Sequence, residues 1–564
     1  MRNYAAPLGL IFAVASGAAI AGDGVIATTI HRPGDPVPGM PGFTMNGVGG
    51  LASINNAGDL VYSASIAGDG ITFSNDNVLI AGPMDDLRVV GREREAIPTL
   101  PGWIYLPGSS NLTGFYQPII APDGGIAYRA TIFETGVGST WENSLFAGAV
   151  SGPVPIAWET GPAPGFDASY TVNAVNSVAM GVGGQAVASG RVWGPTFESC
   201  VWLSDPVNGA TLVLSTDRRA PGFDEGVEPV AIRDASVRMN TQGRFTTLVA
   251  LGGPGITAAN LNVWYEGSAA EIGVLARSGN GVPGVPGGTY TDFDERKMRM
   301  NASGDLCFAT QISGGGTTAA LMRRRSGTLT PLVKVGDPIP DVPGATFTNL
   351  FGAHFDLNAD GDVMFGATLT GQPASSDSAW FIAGDAGVRM VLREGDELPG
   401  GEVVPEIRNT KFYFNARDQF VADLDGVFYA SRPDGSLVRL AEAAAPVFTN
   451  DGFSGVVGAL VPWRYEAESL GIGSGRPCLF NDEGEFVLSM FFSGSTGTAL
   501  VLFEINDPCP ADLADPEGVL DLNDISAFVD GFIGQTPDGD LDGNALWDLA
   551  DINIFVSVFT AGCP

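Results

Sequence analysis

The chain of 564 residues contains only two histidines, His31 and His354. A catalytic triad or a zinc centre built on imidazole needs histidine beside other reactive groups. Each of these two histidines lies inside or beside a short apolar segment that predicts a β-strand. The sequence also lacks a Walker motif and the Cys and His spacings of a zinc signature. These absences argue against a histidine-based triad and against a zinc site.

Basic side chains are also few. The sequence has 29 Lys and Arg against 63 Asp and Glu, which gives a formal net charge of −34 and a pI near 4.2. Such a surface repels the phosphate backbone, so we expect no nucleic-acid partner. Calcium, other cations and neutral polymers remain compatible with this charge. The alternative interpretation is that the acidity serves solubility alone, because net charge does not define a site.

Apolar runs are short throughout the chain. Residues 5–20 are apolar and rich in Ala and Gly, follow Arg2, and end in the small-residue cleavage site Ala19-Ile20-Ala21. This order predicts a signal peptide at residues 1–21 and an exported protein that is secreted, periplasmic or attached to the cell surface. No later stretch approaches the roughly 18–20 continuous apolar residues of a membrane-spanning helix, so we expect no membrane span.

Turn-forming residues, by contrast, are abundant, with 78 Gly and 38 Pro in a chain that is 45% apolar. A polar turn centred on Asn and Gly precedes a short apolar strand eight times, at a spacing of about 60 residues. The copies begin at Asn55, Ala121, Met180, Asn240, Asn301, Asn358, Asn415 and Asn481. A fixed period of this length predicts one structural unit that is copied many times.

The order of signals within each unit predicts four strands. A Pro-Gly turn opens the unit and is often followed by an aromatic residue, as at Phe43 and Phe223. In the Asn-x-x-Gly turn, the Asn side chain can bond the backbone ahead of it and the Gly adopts the left-handed conformation. An alternating strand, a short aromatic strand and a strand rich in Val and Leu follow. Four strands and a turn into the next unit make one blade of a β-propeller.

The two ends of the array predict how it closes. The last unit stops after its third strand, at residues 498–505, whereas residues 25–31 have the pattern of a fourth strand with no strands before it. We therefore predict an all-β, eight-bladed propeller over residues 22–507 in which the N-terminal strand completes the last blade. Closure of this kind removes exposed sheet edges. An open stack or a pair of smaller rings is the alternative.

The composition changes after Asn506, and the final segment contains no Lys or Arg. Residues 508–564 are an internal duplication, and each half is an acidic loop that runs into an amphipathic helix. The second loop has oxygen donors at the spacing that wraps a loop around a hard cation, with position 7 contributing a backbone carbonyl. The predicted calcium ligands are Asp540, Asp542, Asn544, Leu546, Asp548 and Asp551.

The first loop departs from that pattern, because Ala514 and Pro516 occupy ligand positions and two acids are displaced by one residue. Its candidate ligands, in an altered geometry, are Asp512, Asp515, Glu517, Asp521 and Asp524. The duplicated loop and helix resemble the type I dockerin module, and the Cys-Pro and Gly-Cys-Pro at its ends resemble the GC-type variant. The resemblance implies a small α-helical, EF-hand-like domain that folds on calcium and binds a cohesin domain, often tethering proteins that act on polysaccharides. A metal-independent helical pair is the alternative.

The five cysteines divide by position. Cys509 and Cys563 bracket the C-terminal module closely enough to suggest a disulfide that joins its ends, which an exported protein permits. Cys200, Cys307 and Cys478 lie in different units, and we expect them to be buried small apolar residues. The repeats themselves are similar to a bacterial family of tandem Asn-x-x-Gly-x-x-Ala-Phe repeats in exported, surface-anchored proteins. This resemblance implies the architecture without naming a ligand.

Aromatic residues supply the candidate ligand site of the propeller. Trp202, Trp264 and Trp380 recur in the third strand and are predicted core. Trp141 and Trp193 fall in the longest loops of their units, where an aromatic face could stack on a sugar ring. Ordinary packing is the alternative for both.

Two classes of function follow from these features. The favoured one is a noncatalytic exported propeller, a binding or display platform tethered by its dockerin-like tail. The alternative is a polysaccharide-active enzyme, a glycoside hydrolase or lyase with its site on a propeller face, since two carboxylates need only meet in space. The uniform repeats favour the first class, because no unit carries a distinctive cluster of His, Lys, Arg and acids.

Overall fold

The computed structural model describes residues 25–106, 114–136, 142–206, 209–340, 342–350, 354–399, 401–408, 410–433, 435–449, 453–460, 476–494, 497–505, 511–514, 520–536, 539, 541 and 546–561. Within them, strands form eight separate antiparallel sheets of four or five strands each, and two helices follow the last sheet.

The strands follow the predicted repeat. β1 (Val25–His31) precedes the first sheet. The first sheet contains β2 (Thr44–Ile54), β3 (Leu60–Ala67), β4 (Asn77–Gly82) and β5 (Arg88–Arg92). The second contains β6 (Trp103–Tyr105), β7 (Phe115–Ile120), β8 (Ile126–Glu134), β9 (Glu142–Gly148) and β10 (Val154–Trp158). The third contains β11 (Thr171–Met180), β12 (Ala186–Trp193), β13 (Phe197–Asp205) and β14 (Gly209–Ser215). The fourth contains β15 (Glu228–Ile232), β16 (Arg238–Met239), β17 (Phe245–Gly252), β18 (Asn262–Gly267) and β19 (Ile272–Arg277), with a 3₁₀ turn at Asp234–Ser236.

The second half of the array repeats the plan. The fifth sheet contains β20 (Gly288–Met300), β21 (Leu306–Gly314), β22 (Ala319–Arg325) and β23 (Thr328–Lys334). The sixth contains β24 (Phe347–Asn349), β25 (Phe355–Leu357), β26 (Val363–Leu369), β27 (Ser378–Gly384) and β28 (Gly387–Arg393). The seventh contains β29 (Phe412–Phe414), β30 (Phe420–Leu424), β31 (Val427–Ser431) and β32 (Leu437–Glu442). The eighth contains β33 (Pro446–Phe448), β34 (Ser454–Leu460), β35 (Glu485–Phe492) and β36 (Thr498–Ile505).

The sheets are arranged radially as blades. First strands of neighbouring blades contact one another, as β2 contacts β7 and β25 contacts β29, so they surround a common axis. Fourth strands such as β5, β19 and β28 consist mainly of exposed and half-buried residues, as expected at an outer rim. The predicted all-β, eight-bladed propeller is therefore confirmed.

The ring closes through the N-terminal strand, as predicted. β1 pairs antiparallel with β36, with Val25 opposite Ile505 and His31 opposite Leu500. β2 of the first blade also contacts β35 and β36 of the last. The edge of β36 is thereby covered, and the open stack and the pair of smaller rings are excluded.

The Asn-x-x-Gly turns serve the scaffold in two ways, of which the sequence predicted one. In Asn55, Oδ1 accepts the backbone N–H of Ala57 and of Asp59, which fixes the turn as expected. In addition, Nδ2 of Asn55 donates to the carbonyl of Ala121, the equivalent position of the next blade, at 3.0 Å. Asn481 donates in the same way to the carbonyl of Asn55 at 2.9 Å, across the closure of the ring.

We call these inter-blade hydrogen bonds the asparagine ties. They recur from Asn301 to the carbonyl of Asn358, from Asn358 to that of Asn415 and from Asn415 to that of Asn481. At Asn240 the hydroxyl of Thr241 replaces the tie by donating to Ala302 O at 2.9 Å. The six turn asparagines are all nearly completely buried. The repeat motif thus links consecutive blades as well as turning the chain.

Packing between blades uses the residues predicted for it. Trp202, Trp264 and Trp380 are fully buried, and the ring of Trp380 packs edge-on against Phe412 and Phe420 of the next blade at 5.1 and 5.5 Å. Cys200, Cys307 and Cys478 are buried free thiols, as expected, and they lie apart in three blades. Burial raises the pKa of the Cys307 thiol to about 12, so it stays neutral.

The aromatic residue after the Pro-Gly turn has a partner that the sequence did not predict. The guanidinium of Arg92 lies 5.4 Å from the ring centre of Phe43, and that of Arg277 lies 4.9 Å from Phe223. Each arginine stands at the end of the fourth strand of the same blade. A cation–π contact at an exposed site contributes about 0.5–1 kcal/mol. These contacts help to fix the turns that lead into the first and fourth blades.

The C-terminal segment contains two helices of equal length, α1 (Leu522–Gly534) and α2 (Leu549–Ala561). Phe528 of α1 stacks on Phe555 of α2 with ring centres 4.2 Å apart, and both rings are buried. The predicted internal duplication is thus visible as a pair of helices around one small core. In the described part of the chain, no helix has both the length and the apolar character needed to cross a membrane.

Candidate functional site

The exposed aromatic residues of the third blade form the candidate ligand surface of the ring. Trp193 is 62% exposed, and Phe197 is 49% exposed. They face each other across the β12–β13 hairpin with ring centres 5.9 Å apart, edge to face. Trp193 therefore ends a strand and does not lie in a long loop as the sequence predicted. A short hairpin holds the indole more firmly than a long loop does.

Tyr170 extends this surface from the turn that enters the third blade. Its ring lies against Gly194, where an added Cβ would come within 2.5 Å of the aromatic carbon. Its hydroxyl shares a hydrogen bond with the hydroxyl of Thr196 at 2.8 Å. Glycine at the hairpin tip is thus required by the close approach of the tyrosine. We call Trp193, Phe197 and Tyr170 the hairpin aromatics.

The hairpin aromatics lie on the propeller face opposite to the Asn-x-x-Gly turns. Strand direction alternates within each blade, so turns between first and second strands fall on one face, and turns between second and third strands fall on the other. The β12–β13 hairpin and the Pro-Gly turns share this second face. Trp141, the other predicted aromatic, lies outside the described residues. The run Trp193-Gly194-Pro195-Thr196-Phe197, a tight turn flanked by two aromatic residues, is the sequence pattern that could have predicted this hairpin.

Both histidines are engaged in structural contacts. Nδ1 of His31 forms a buried hydrogen bond with the hydroxyl of Tyr62, and burial lowers the pKa of His31 although Asp35 opposes the shift. Nε2 of His354 donates to the carbonyl of Phe412 at 3.1 Å. Burial is also the main reason why the pKa of His354 lies well below its ordinary value. Both imidazoles are therefore neutral at pH 7.

The predicted calcium loops are described in part. Asp540, Asp542 and Asn544 of the second loop and Asp515 and Glu517 of the first lie outside the described residues. Leu546 and Asp548 are exposed, and Asp551 is fully buried. Among the residues that the structure describes, no three His, Cys, Asp or Glu side chains are close enough to hold a metal ion. Cys509 and Cys563, the predicted disulfide, also lie beyond the described ranges.

Asp524 and Asp551 occupy equivalent places in the two helices. Oδ2 of Asp524 accepts the backbone N–H of Asp521 at 2.8 Å, and Oδ2 of Asp551 accepts that of Asp548 at 2.9 Å. Each earlier aspartate in turn accepts an N–H from the first turn of its helix, from Asn523 and from Ala550. These pairs cap the helix N-termini. The internal duplication predicted from the sequence pairs these acids in the same way, Asp521 with Asp548 and Asp524 with Asp551.

The two loops differ in how well they fit a cation. Oδ1 of Asp524 accepts the N–H groups of Leu513 and Ala514, so this carboxylate is already bonded to three backbone donors. That arrangement leaves Asp524 little capacity to coordinate a metal. Asp551 is a fully buried carboxylate in a segment without Lys or Arg. All the candidate donors of the second loop are oxygens, which fits a hard cation such as calcium.

Sequence comparison decides the family. A model of a protein family of unknown function, DUF7453, matches residues 8–200 and again residues 194–502. The chain belongs to the DUF7453 family. The two matches cover the propeller, and residues 503–564 of this DUF7453 chain lie beyond them. The comparison with curated proteins finds no sequence that matches.

Solved structures resemble the DUF7453 chain only distantly. The β-propeller domain of the trilobed protease from Pyrococcus furiosus is 10% identical with a TM-score of 0.34, and 70% of this chain and 98% of that one are covered. PorZ of Porphyromonas gingivalis is 12% identical with a TM-score of 0.29, covering 83% and 70%. An α-L-arabinanase of Penicillium chrysogenum is 13% identical with a TM-score of 0.25, covering 65% and 98%. Similarities at this level carry no argument about function.

Proposed function

We propose that this protein is an exported, noncatalytic propeller that binds a neutral polysaccharide through the hairpin aromatics, and that its C-terminal dockerin-like module tethers it to a cohesin-like partner. The exposure of Trp193 beside Phe197 on a short hairpin is the observation that carries this proposal. Large rings left in water on a rigid element offer flat apolar faces to sugar rings. The hydroxyl of Tyr170 adds a polar group at the edge of the same surface.

The charge of the protein supports a neutral ligand. A formal charge of −34 repels acidic polysaccharides, whereas a neutral glycan experiences no such penalty. The engagement of both histidines in structural hydrogen bonds supports a role in binding over acid–base chemistry. The predicted signal peptide at residues 1–21 is the basis for proposing export.

The capping geometry supports the dockerin-like proposal for residues 508–564. Two equivalent helices, each begun by an Asp pair three residues apart, pack around Phe528 and Phe555. We propose that the second loop binds calcium through Asp540, Asp542, Asn544, the Leu546 carbonyl, Asp548 and Asp551. Calcium would offset the negative charge that these carboxylates bring together. The proposed disulfide between Cys509 and Cys563 would join the ends of the module.

Affinity electrophoresis against a panel of polysaccharides tests the ring. We expect retardation by a neutral polysaccharide and no change for Phe73→Ala. Trp193→Ala is expected to bind about fivefold more weakly, since an aromatic contact contributes about 1 kcal/mol. Phe73 is 89% exposed in the β3–β4 loop on the same face, so it is a matched control. Equal effects of the two substitutions, or no retardation by any neutral polysaccharide, would reject the proposed surface.

Incubation of the purified chain with the same panel of polysaccharides distinguishes a polysaccharide-active enzyme from a noncatalytic binding protein. Release of reducing ends or of unsaturated sugars by the purified chain would replace the noncatalytic proposal with a glycoside hydrolase or a lyase. Stable retention without product over a long incubation is the expected result.

Calcium titration of the full chain by calorimetry tests the tail. We expect saturable binding that Asp540→Ala abolishes and that Asp530→Ala, an exposed site on α1, leaves intact. Asp540→Ala leaves the helix caps in place, so a loss of binding reports ligation and not helix fraying. Unchanged calcium binding in Asp540→Ala would remove the metal assignment, and pull-down with cohesin domains then tests the helical pair alone.

A further inference from the structure

A positively charged group of side chains lies on the ring axis of this otherwise acidic protein. The charged members are Arg238, Lys297, Arg299, Lys411 and Arg476, and with the neutral imidazole of His354 we call them the axial cluster. The chain has only three lysines, and two of them, Lys297 and Lys411, belong to this cluster. They occupy the same place in the repeat, four residues before the turn asparagines Asn301 and Asn415. His354 occupies that place in the blade between them.

Contacts made by Arg476 locate the cluster at the centre of the ring. Arg476 belongs to the eighth unit, yet it donates to the hydroxyl of Ser177 at 2.7 Å and to the carbonyl of Val178 at 3.0 Å, both in the third blade. It also donates to the carbonyl of Ala235 in the fourth blade, at 3.4 Å. In a ring of eight blades, the fourth lies opposite the eighth. The side chain of Arg476 therefore crosses the axis.

Two further arginines approach the same region from neighbouring blades. Arg238 is fully buried and donates to the carbonyl of Ala235 at 2.7 Å, the same oxygen that accepts from Arg476. The two guanidinium groups thus lie side by side. Arg299 is 3% exposed, and its Nε lies 3.8 Å from Oδ1 of Asp356 in the next blade. Asp356 places a negative charge beside Arg299.

The lysines reach the cluster from the fifth and seventh blades. Lys297 and Lys411 hold the place of His354 in the blades on either side of it, and after burial the neighbouring positive charges help to lower the pKa of His354. Arginine and lysine supply cationic groups here, whereas the lowered pKa of His354 keeps its imidazole neutral. Like charges brought together around the axis repel one another, and a bound anion relieves this repulsion.

Two neighbouring amides provide an independent indication of a ligand. Gln117 and Asn176 hold the same place in the second and third units, four residues before the turn. The Oε1 atom of Gln117 and the Nδ2 atom of Asn176 are buried and have no hydrogen-bond partner. Buried polar atoms in native proteins are nearly always satisfied by protein, water or ligand. A polar group held at the axis would satisfy them.

We propose that the axial cluster binds a small anion through carboxylate or phosphate oxygens. Arginine side chains present planar forks of N–H donors that match such oxygens, and the lysines add point charges. Because the side chain of Arg476 reaches across the axis to the third and fourth blades, the space left between the blades suits a small anion better than a polymer. The net negative charge of the remaining surface repels polyanions further. This site is separate from the hairpin aromatics of the third blade.

Ligand-dependent thermal stabilisation of the full chain tests the proposal. The probes are inorganic phosphate and galacturonate, each compared with sodium chloride at equal ionic strength. We expect a saturable rise in Tm with at least one probe, since a ligand that binds only the folded state stabilises it in proportion to its occupancy. The probe that acts identifies phosphate or carboxylate as the recognised group.

Matched lysine variants separate a specific site from general charge. Lys411→Gln changes an exposed side chain and preserves packing, and we expect it to weaken binding by about tenfold, because a hydrogen bond to a charged group contributes about that factor. Lys334→Gln, in β23 at the rim, removes the third lysine and is expected to change nothing. Trp193→Ala is also expected to leave anion binding unchanged. Absence of any stabilisation beyond sodium chloride, or equal weakening by Lys334→Gln and Lys411→Gln, would overturn the proposal.

Discussion

The asparagine tie that closes the ring offers the sharpest test of how the propeller is held together. Asn481 is completely buried. Its Oδ1 accepts the N–H groups of Glu483 and Glu485 at 3.0 and 2.8 Å, and its Nδ2 donates to the carbonyl of Asn55 at 2.9 Å. Asn481→Ala leaves these three backbone groups without their partner. At about 1 kcal/mol for each lost bond, we expect a loss of about 3 kcal/mol in the free energy of unfolding.

Asn481→Asp separates the two roles of Asn481, the asparagine tie to the neighbouring blade and the formation of its own turn. Aspartate retains an acceptor for Glu483 and Glu485 but presents a second oxygen to the carbonyl of Asn55, so the inter-blade bond becomes a repulsion. We expect a loss at least as large as that of Asn481→Ala at pH 7. Part of it is expected to return on acidification, because a protonated aspartate can donate again. A role limited to turn formation predicts a much smaller effect of Asn481→Asp than of Asn481→Ala.

Urea denaturation and hydrogen exchange provide the assay. Asn260→Ala is the control, because the Asn260 side chain is half-buried and bonds only within its own loop, accepting from Thr257 N at 2.7 Å and donating to Gly255 O at 3.1 Å. We expect a loss below about 1 kcal/mol there. Exchange of the Glu483 and Glu485 amides should accelerate in both Asn481 variants. If Asn481→Ala destabilises the ring no more than Asn260→Ala does, the asparagine ties do not hold the blades together.

Three further predictions follow from the fold. Deletion of residues 25–31 exposes the edge of β36, and we expect a lower Tm together with oligomers detected by light scattering; a monomer of unchanged Tm would contradict closure by β1. Glu504 lies directly opposite Glu485 in the β35–β36 pair, and burial is the main cause that raises the pKa of both carboxyls. A raised pKa in the folded state favours the protonated form, so stability is lost as pH rises from the unfolded pKa through the folded one. Glu504→Gln should therefore stabilise the chain by about 0.5 kcal/mol at pH 7 and by less at pH 4, as measured by urea midpoints. Finally, Trp380→Phe should lower the free energy of unfolding by about 1 kcal/mol more than Trp264→Phe does. The reason is that Nε1 of Trp380 donates to Ile407 O at 3.0 Å, whereas Nε1 of Trp264 has no partner. Equal shifts of the two urea midpoints would contradict this.

The sequence was sufficient for the number of blades, the order of strands and the closure. Pro-Gly and Asn-x-x-Gly turns are local signals that depend on backbone conformation, so they can be recognised without knowing the tertiary structure. The unpaired strand pattern at residues 25–31 then determined how the ring closes. The interruption of first strands, as between β6 and β7 or between β24 and β25, was not predicted, because it depends on how strands crowd around the axis.

The candidate sites were less predictable, because they depend on contacts between distant residues. Tyr170 joins Trp193 and Phe197 only because the turn into the blade folds back over the hairpin tip. The asparagine ties require the geometry of neighbouring blades, which a single repeat cannot reveal. The axial cluster brings Arg476 to Val178 and Ala235, residues separated from it by 298 and 241 positions. No local pattern of sequence predicts such proximity.

The pairing of Val25 with Ile505 brings the first and last residues of the ring side by side on the outermost strands of one blade. A linker of a few residues could therefore join them, and new termini could be opened at a Pro-Gly turn elsewhere, which would give a circular permutant with the same eight blades. The same adjacency means that chain preceding Val25 and chain following Ile505 depart from a single point on the rim. Extensions at either end can be gained, exchanged or lost in evolution while the other seven blades keep their contacts.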